Sequence, residues 1–233
     1  ASLPHDVRAL YPFTPKHFVT AHGATMSYVD EGAGDEAVLM LHGNPTWSFY
    51  YRELIQAISP HRRCVAPDHI GMGLSDKPQV YPYTLKTRID DIADLIAALG
   101  LKKVHLVMHD WGGAIGFGFA ARHPALIGKL VVLNTAAFPS PHLPGRIAVC
   151  KAPLLGSLLV RGLNGFAGPA TWMAMARRKL SAPEKRAFLL PYDSWANRVA
   201  VSAFVQDIPM NAGHETWTTL DKVAQGIAQF KSH

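Results

Sequence analysis

Along the first 135 residues, short apolar runs alternate with longer stretches in which apolar positions recur every three or four residues. That alternation predicts strands joined by crossover helices into a largely parallel sheet. The runs place strands at Phe18–Ala21, Met26–Glu31, Ala37–Leu41, Cys64–Pro67, Lys103–Met108 and Lys129–Leu133, the first two forming an antiparallel pair around Gly23. Ile89, Ile92, Ile96 and Leu99 are spaced by three and four, which predicts a helix over Leu85–Leu99 ended by Gly100. The fold class read from this pattern is α/β.

From Phe138 onward the texture changes. Pro139, Pro144, Pro153, Gly156, Gly162 and Gly165 punctuate short apolar helices, and no strand-like run interrupts them. The expected organisation is a core over residues 1–137, an inserted helical cap over 138–213 and a return helix over 214–233. One helix start is well marked: Ser181 stands three residues before Glu184, the spacing at which the two side chains cap each other's backbone N–H.

Composition narrows the function. A chain of 233 residues with 48% hydrophobic and 17% charged residues has the material for a folded core and lies outside the range of disorder. The net charge of +6 is spread out, and the longest basic block is Arg177-Arg178-Lys179, so no nucleic-acid partner is expected. Cys64 and Cys150 are far apart, with no CxxC and no His/Cys cluster at metal-ligand spacing. This predicts a reducing, cytoplasmic setting without disulfide, metal or cofactor. Pro4, Asp6, Arg8, Pro12 and Pro15 break the first twenty residues, and the longest lipophilic stretch, Ala152–Val160, is too short for a bilayer. Neither a signal peptide nor a transmembrane helix is expected. The absent initiator Met and the stop straight after a helix-like segment suggest a fragment.

The densest chemical signal is Leu106-Val-Met108-His109-Asp110-Trp111-Gly112-Gly113, a buried strand running through a tight turn into an apolar helix. Such an elbow presents its central side chain beside the free N–H groups of a helix N-terminus. Gly112 has the required smallness; Met108 departs from the Gly of the GxSxG pattern. The plainer alternative is a helix-capping Asp beside glycines used for close packing. With Asp110 at the centre, the side chain is already ionised and can attack an sp³ carbon or strained ring without a base to activate it. A second strand ends in His42-Gly43-Asn44-Pro45, so the N–H groups of Asn44 and Trp111 form a candidate oxyanion hole; a simple strand-ending turn is the alternative. In Asp68-His-Ile-Gly71-Met-Gly73-Leu-Ser75 the third Gly of a dinucleotide fingerprint is replaced by Asp76, which argues against NAD binding.

Taken in order, His42–Phe49, Asp68–Pro78 and His109–Gly113 resemble the α/β-hydrolase superfamily in its haloalkane-dehalogenase-like branch. Leu133–Pro139, Pro191–Arg198 and Phe204–Pro209 resemble one subgroup, the β-lactone decarboxylases of bacterial long-chain olefin biosynthesis, and the likeness runs from about Tyr11 to Phe230. It implies an α/β-hydrolase fold, mostly parallel, with a cap, and Asp110 as nucleophile. Asn44 and Trp111 would stabilise the leaving group through their side chains. The implied substrate is a lipophilic cis-β-lactone, leaving as cis-alkene and CO2, with the atom attacked by Asp110 left open. A thiolase, a reductase and a β-lactone synthetase are the implied pathway partners.

Residues also separate the competing members of the branch. Ring protonation in epoxide hydrolases of this type uses two cap tyrosines, and only Tyr192 follows Phe138; fluoroacetate dehalogenases carry Arg in place of Trp111, and serine esterases Ser in place of Asp110. A haloalkane dehalogenase is the second reading and a non-catalytic pathway scaffold the third. The resemblance places the triad histidine beyond residue 233 and gives Asn134 where some relatives keep the acid. The chain is accordingly expected to stop before the last two of eight strands and, alone, to be catalytically incomplete. Neither His214 nor His109, its ring turned away from the nucleophile, is expected to act as base.

Overall fold

In the computed structural model, which describes residues 3–140, 143–228 and 230, helices pack on both faces of a six-stranded sheet. Helix α1 (His5–Leu10) leads to strands β1 (Lys16–Val19), β2 (Thr25–Glu31) and β3 (Glu36–Leu41). A 3₁₀ turn over Ser48–Tyr51 runs into α2 (Arg52–Ile58), followed by β4 (Arg63–Pro67), α3 (Leu85–Ala98), β5 (Lys103–His109), α4 (Trp111–Arg122) and β6 (Ile127–Leu133). The remainder is helical: α5 (Gly145–Lys151), α6 (Leu155–Ser157) with a π-helical turn over Leu158–Gly162, α7 (Ala167–Met173), α8 (Ala182–Leu189), α9 (Val199–Gln206) and α10 (Glu215–Ile227).

The strand order is β1-β2-β4-β3-β5-β6. β2 runs antiparallel to both β1 and β4, and the other neighbours are parallel. All six expected strands are present, with shifted ends. β1 lies two residues early because Thr20 and Ala21 belong to the turn that Gly23 makes with φ +77°, its N–H donating to the Thr20 carbonyl at 2.9 Å. β6 begins at Ile127 and lies at the edge of the sheet opposite β1, with Val131, Val132 and Leu133 well exposed. The helix expected from Leu85 is observed: Thr84 caps it by accepting the Thr87 N–H, and Gly100, at φ +62°, follows its end.

Pleating sorts the central strands between two cores. Leu39, Leu41, Leu106 and Met108 face Ile89, Ile92 and Ile115 of α3 and α4, whereas Val38, Met40 and Val107 face Trp47, Phe49 and Ile55. Each of the larger side chains contributes roughly 1.5–3 kcal/mol by leaving water. α1 and α2 had no legible signal in the sequence; both are short and bury only one or two residues each. Helix α8 opens with the expected Ser181–Glu184 capping box and is bound to the core through a nearly buried Arg52–Glu184 ion pair at 2.8 Å and a 3.1 Å hydrogen bond from Trp47 Nε1 to the Ala187 carbonyl.

Winding reverses at β3, which has β4 on one side and β5 on the other. At such a reversal the loops leaving the carboxyl ends of neighbouring strands part and open a crevice. The loops after β3 and β5 carry Asn44 and Asp110. No helix among the described residues is long and apolar enough to cross a membrane.

Candidate active site

Asp110 sits between β5 and α4 at φ 52°, ψ −129°, a conformation that costs a non-glycine residue about 1–3 kcal/mol and persists only when its surroundings enforce it. Its carbonyl accepts hydrogen bonds from the Thr135 hydroxyl and, at 2.9 Å, from the Gly113 N–H. The carboxylate Oδ1 accepts the Asn44 N–H at 2.8 Å. Small residues make this possible: a Cβ on Gly43 would collide with the Asp110 carboxylate, on Gly112 with the Leu41 carbonyl, and on Gly113 with Thr135. The departure at Met108 is accommodated on the helix, where its buried thioether fills the space left by Gly116.

The loop bearing Asn44 is held by two buried histidines. His42 Nε2 accepts the His69 N–H at 3.1 Å, so its proton is on Nδ1, 2.9 Å from the Gly43 carbonyl; His69 Nε2 in turn donates to the His42 carbonyl at 3.1 Å. Burial pushes His42 down to about 4 and His69 below the usual histidine range, so both are neutral at pH 7. The loop over residues 68–75, with its two glycines, fixes the neighbouring segment. Its Asp68 accepts the N–H groups of Ser48 (2.7 Å) and Leu74 (2.8 Å), and a Cβ on Gly73 would strike that carboxylate.

Asn44, Tyr50, His109, Asp110 and Asn134 line a cavity of about 460 Å3, together with Ile147, Cys150, Phe166, Ala170, Met173 and Phe188 from the helical segment after β6. Trp111, the first residue of α4, packs its ring on Phe204 at 5.4 Å and is not among the cavity-lining residues. The Asn44 amide group is turned toward α9, donating to the Val201 carbonyl at 3.1 Å. The structure thus brings Asp110 and the Asn44 N–H together and holds the two neutral side chains on other partners, Asn44 on the Val201 carbonyl and Trp111 on Phe204. His109 corrects the expectation that it turns away. It lines the same cavity, stacked on Tyr50 at 4.6 Å, because the strand end that delivers Asp110 leaves its neighbour against the aromatic wall. Burial lowers its basicity, against the pull of Asp110. Burial and the Asp110 charge both raise the Tyr50 phenol, which stays protonated.

Sequence reading missed Tyr50, Thr135 and Arg88. Thr135 follows the strand end by two residues and could have been sought as a brace for a strained elbow. Arg88 carries no motif: fully buried, it pairs with Asp207 at 3.3 Å and lies over the Phe204 ring at 3.6 Å, with the Trp111 ring 6.0 Å away. Burial lowers it to about 10, and it remains a cation. Among the described residues, no three His, Cys, Asp or Glu side chains gather to hold a metal.

Residues 36–150 match the alpha/beta hydrolase fold family. A cis-3-alkyl-4-alkyloxetan-2-one decarboxylase of Shewanella oneidensis is 45% identical over 227 residues, spanning 95% of this chain and 71% of that protein. One of the same description from Xanthomonas campestris is 44% identical over 94% of this chain and 77% of that protein. Among solved structures, a haloalkane dehalogenase from Bradyrhizobium elkani superposes with a TM-score of 0.84 at 28% identity, covering 93% of this chain and 77% of that one.

Proposed function

The chain belongs to the alpha/beta hydrolase family, in its haloalkane-dehalogenase-like branch, and from that we propose that it decarboxylates cis-3-alkyl-4-alkyloxetan-2-ones to cis-alkenes and CO2. One observation carries this reading above dehalogenation. The 45% identity spans 95% of the chain, and so includes the helices that line the cavity, whereas the dehalogenase fold neighbour shares 28%.

Asp110 is the nucleophile. Attack on the ring carbon bearing the ring oxygen forms an alkyl ester with Asp110 and breaks the C–O bond, leaving a substrate carboxylate. In the second step the C–C bond to that carboxylate breaks and its electrons form the alkene. CO2 departs and Asp110 is expelled as a carboxylate. One inversion followed by one anti departure carries a cis ring to a cis-alkene. The route requires no water, no oxidant and no general base, only donors for the negative charge. The Asn44 N–H, already on the Asp110 carboxylate, and the Trp111 N–H at the start of α4 are the donors this reading assigns; the two side chains would join them only by leaving the Val201 carbonyl and the Phe204 ring. The apolar cavity-lining residues of the helical segment, Ile147, Phe166, Met173 and Phe188 among them, hold the alkyl branches. The two free cysteines accord with the cytoplasm, and a thiolase, a reductase and a β-lactone synthetase are the partners of such a pathway.

The test is to incubate the protein with a cis-dialkyl β-lactone and follow alkene by gas chromatography. Alkene formed by the wild type and abolished in Asp110→Asn supports the reading. Halide release from a bromoalkane without alkene from the lactone would replace it with the dehalogenase. Lactone binding unaffected by Asp110→Ala, with no turnover in either protein, would leave a scaffold.

A further inference from the structure

The helices that cover the site carry two surpluses. Nine of the 23 basic and three of the 17 acidic residues lie in residues 138–213, so this segment holds the whole excess of six positive charges. Among the described residues, nine of the fifteen exposed large apolar side chains fall there too. Both surpluses meet at the edge of the cavity. Met173, Ala174 and Arg146 line it, and Met173 is 47% exposed. Next to Met173 stands Trp172, 65% exposed at the end of α7, and the exposed run Arg177-Arg178-Lys179 follows within one short loop. Arg178 is committed to Glu184 at 2.7 Å. Among the described residues, Arg146, Arg177 and Lys179 have no ion-pair partner.

We propose that this rim, Trp172 to Lys179 with Arg146, docks reversibly on an anionic lipid bilayer, so that apolar substrate and product pass between cavity and hydrocarbon without crossing water. An exposed Trp beside unpaired Arg and Lys matches the chemistry of a headgroup boundary, where the indole lies at the interface and the cations meet lipid phosphates. Protein interfaces, in contrast, are depleted in Lys and cover their large apolar groups with a matching partner. The positive excess selects anionic lipid over a neutral surface. The proposal rests on the decarboxylase reading only in that the transferred molecules are water-insoluble.

Vesicle flotation tests it without turnover, using the chain with phosphatidylglycerol–phosphatidylcholine or pure phosphatidylcholine vesicles. Binding is expected to the anionic vesicles only and to weaken as salt rises. Each unpaired cation contributes about fivefold, so R177Q/K179Q should weaken partitioning about 25-fold. W172S should weaken it about tenfold through lost apolar contact. K102Q/K103Q, which removes the same charge at the opposite end of β5, should float like the wild type. All three variants alter exposed side chains, and matched circular dichroism melts establish that they are folded. Equal flotation of W172S, R177Q/K179Q and wild type, an equal loss in K102Q/K103Q, or no binding to anionic vesicles would overturn the proposal. Failure to float together with alkene formation from lactone in detergent micelles would reject the docking and leave the decarboxylase intact; flotation without alkene would do the reverse.

Discussion

The elbow tolerates Met108 where its pattern calls for Gly, and the packing explanation for this can be tested by a double-mutant cycle. Met108 is fully buried, and Gly116, the sixth residue of α4, leaves the space for its thioether. A methyl on Gly116 would collide with Met108 Sδ and stand 2.9 Å from its Cγ and 3.1 Å from Leu41 Cδ1, well inside the roughly 3.5–4.0 Å of a comfortable carbon contact. Overpacking of this kind costs about 1–3 kcal/mol, offset by about 1 kcal/mol because Ala is the better residue within a helix. Gly116→Ala should therefore destabilise the wild type by about 1 kcal/mol. Met108→Ala alone should cost about 2–5 kcal/mol through the void it leaves. In that background the added methyl fills space, so Gly116→Ala should stabilise by about 1–2 kcal/mol, a coupling of about 2–3 kcal/mol. Urea unfolding followed by circular dichroism reads all four corners. Additivity within about 0.5 kcal/mol would refute the idea that the room at the elbow has moved from strand to helix.

Gly43→Ala should move the Asp110 carboxylate off the Asn44 N–H and lower alkene formation about 100-fold, read by gas chromatography with folding checked separately. Unchanged turnover would show that this contact does not position the nucleophile. Glu184→Ala removes a buried partner of Arg52 and half of the α8 capping box and should cost about 3–5 kcal/mol in urea unfolding, with α8 the first helix to lose amide-exchange protection. His42, whose folded value of about 4 lies below its ordinary 6.5, supplies stability that is complete above pH 6.5 and falls by up to about 3 kcal/mol as the pH drops toward 4. Asp68 and Asp91, raised to about 6, act in the opposite sense between about pH 4 and 6, so the clean readout is NMR of the His42 ring, which should not titrate near pH 6.5.

Legibility followed periodicity and steric demand. The strands of the central sheet and helix α3 were readable because buried runs and spacings of three and four have one good structural solution each. Ser181 and Glu184 were readable because a cap is a local device. Asp110 stood out because a strand, a small-residue turn and an apolar helix in succession leave one exposed position. Other parts depend on distant segments and leave no local trace. Nothing beside Arg88 announces that Asp207, 119 residues later, neutralises it, or that Phe204 lies beneath it. Thr135 looks like any residue after a strand until its hydroxyl is seen on the Asp110 carbonyl. His109 keeps the alternation of β5, on the same face as Val107; what the strand pattern does not announce is Tyr50, brought from the segment after β3 to stack on its ring.

A carboxylate nucleophile poses an electrostatic problem opposite to that of a serine. It is ionised from the start, so nothing need remove a proton, but a tight cation beside it would hold its electrons and blunt the attack. The surroundings of Asp110 meet both conditions. The contact to its Oδ1 is a neutral amide, and the histidines that hold the amide loop are made neutral by burial. The buried cation of this region, Arg88, is engaged by Asp207 and by the Phe204 ring, and no ion pair to Asp110 forms among the described residues. Neutral donors orient the carboxylate through a hydrogen bond worth about 1 kcal/mol and do not quench it. When charge shifts to the substrate carboxylate, the same N–H groups, already fixed by the strained elbow and the histidine clamp, are available to it without reorganisation. The strain at Asp110 and the desolvation of two histidines are thus the stability cost of one lone, oriented charge. Replacing Asn44 by Lys would place a cation there and should slow the attack while leaving binding of an anionic product analogue intact or stronger.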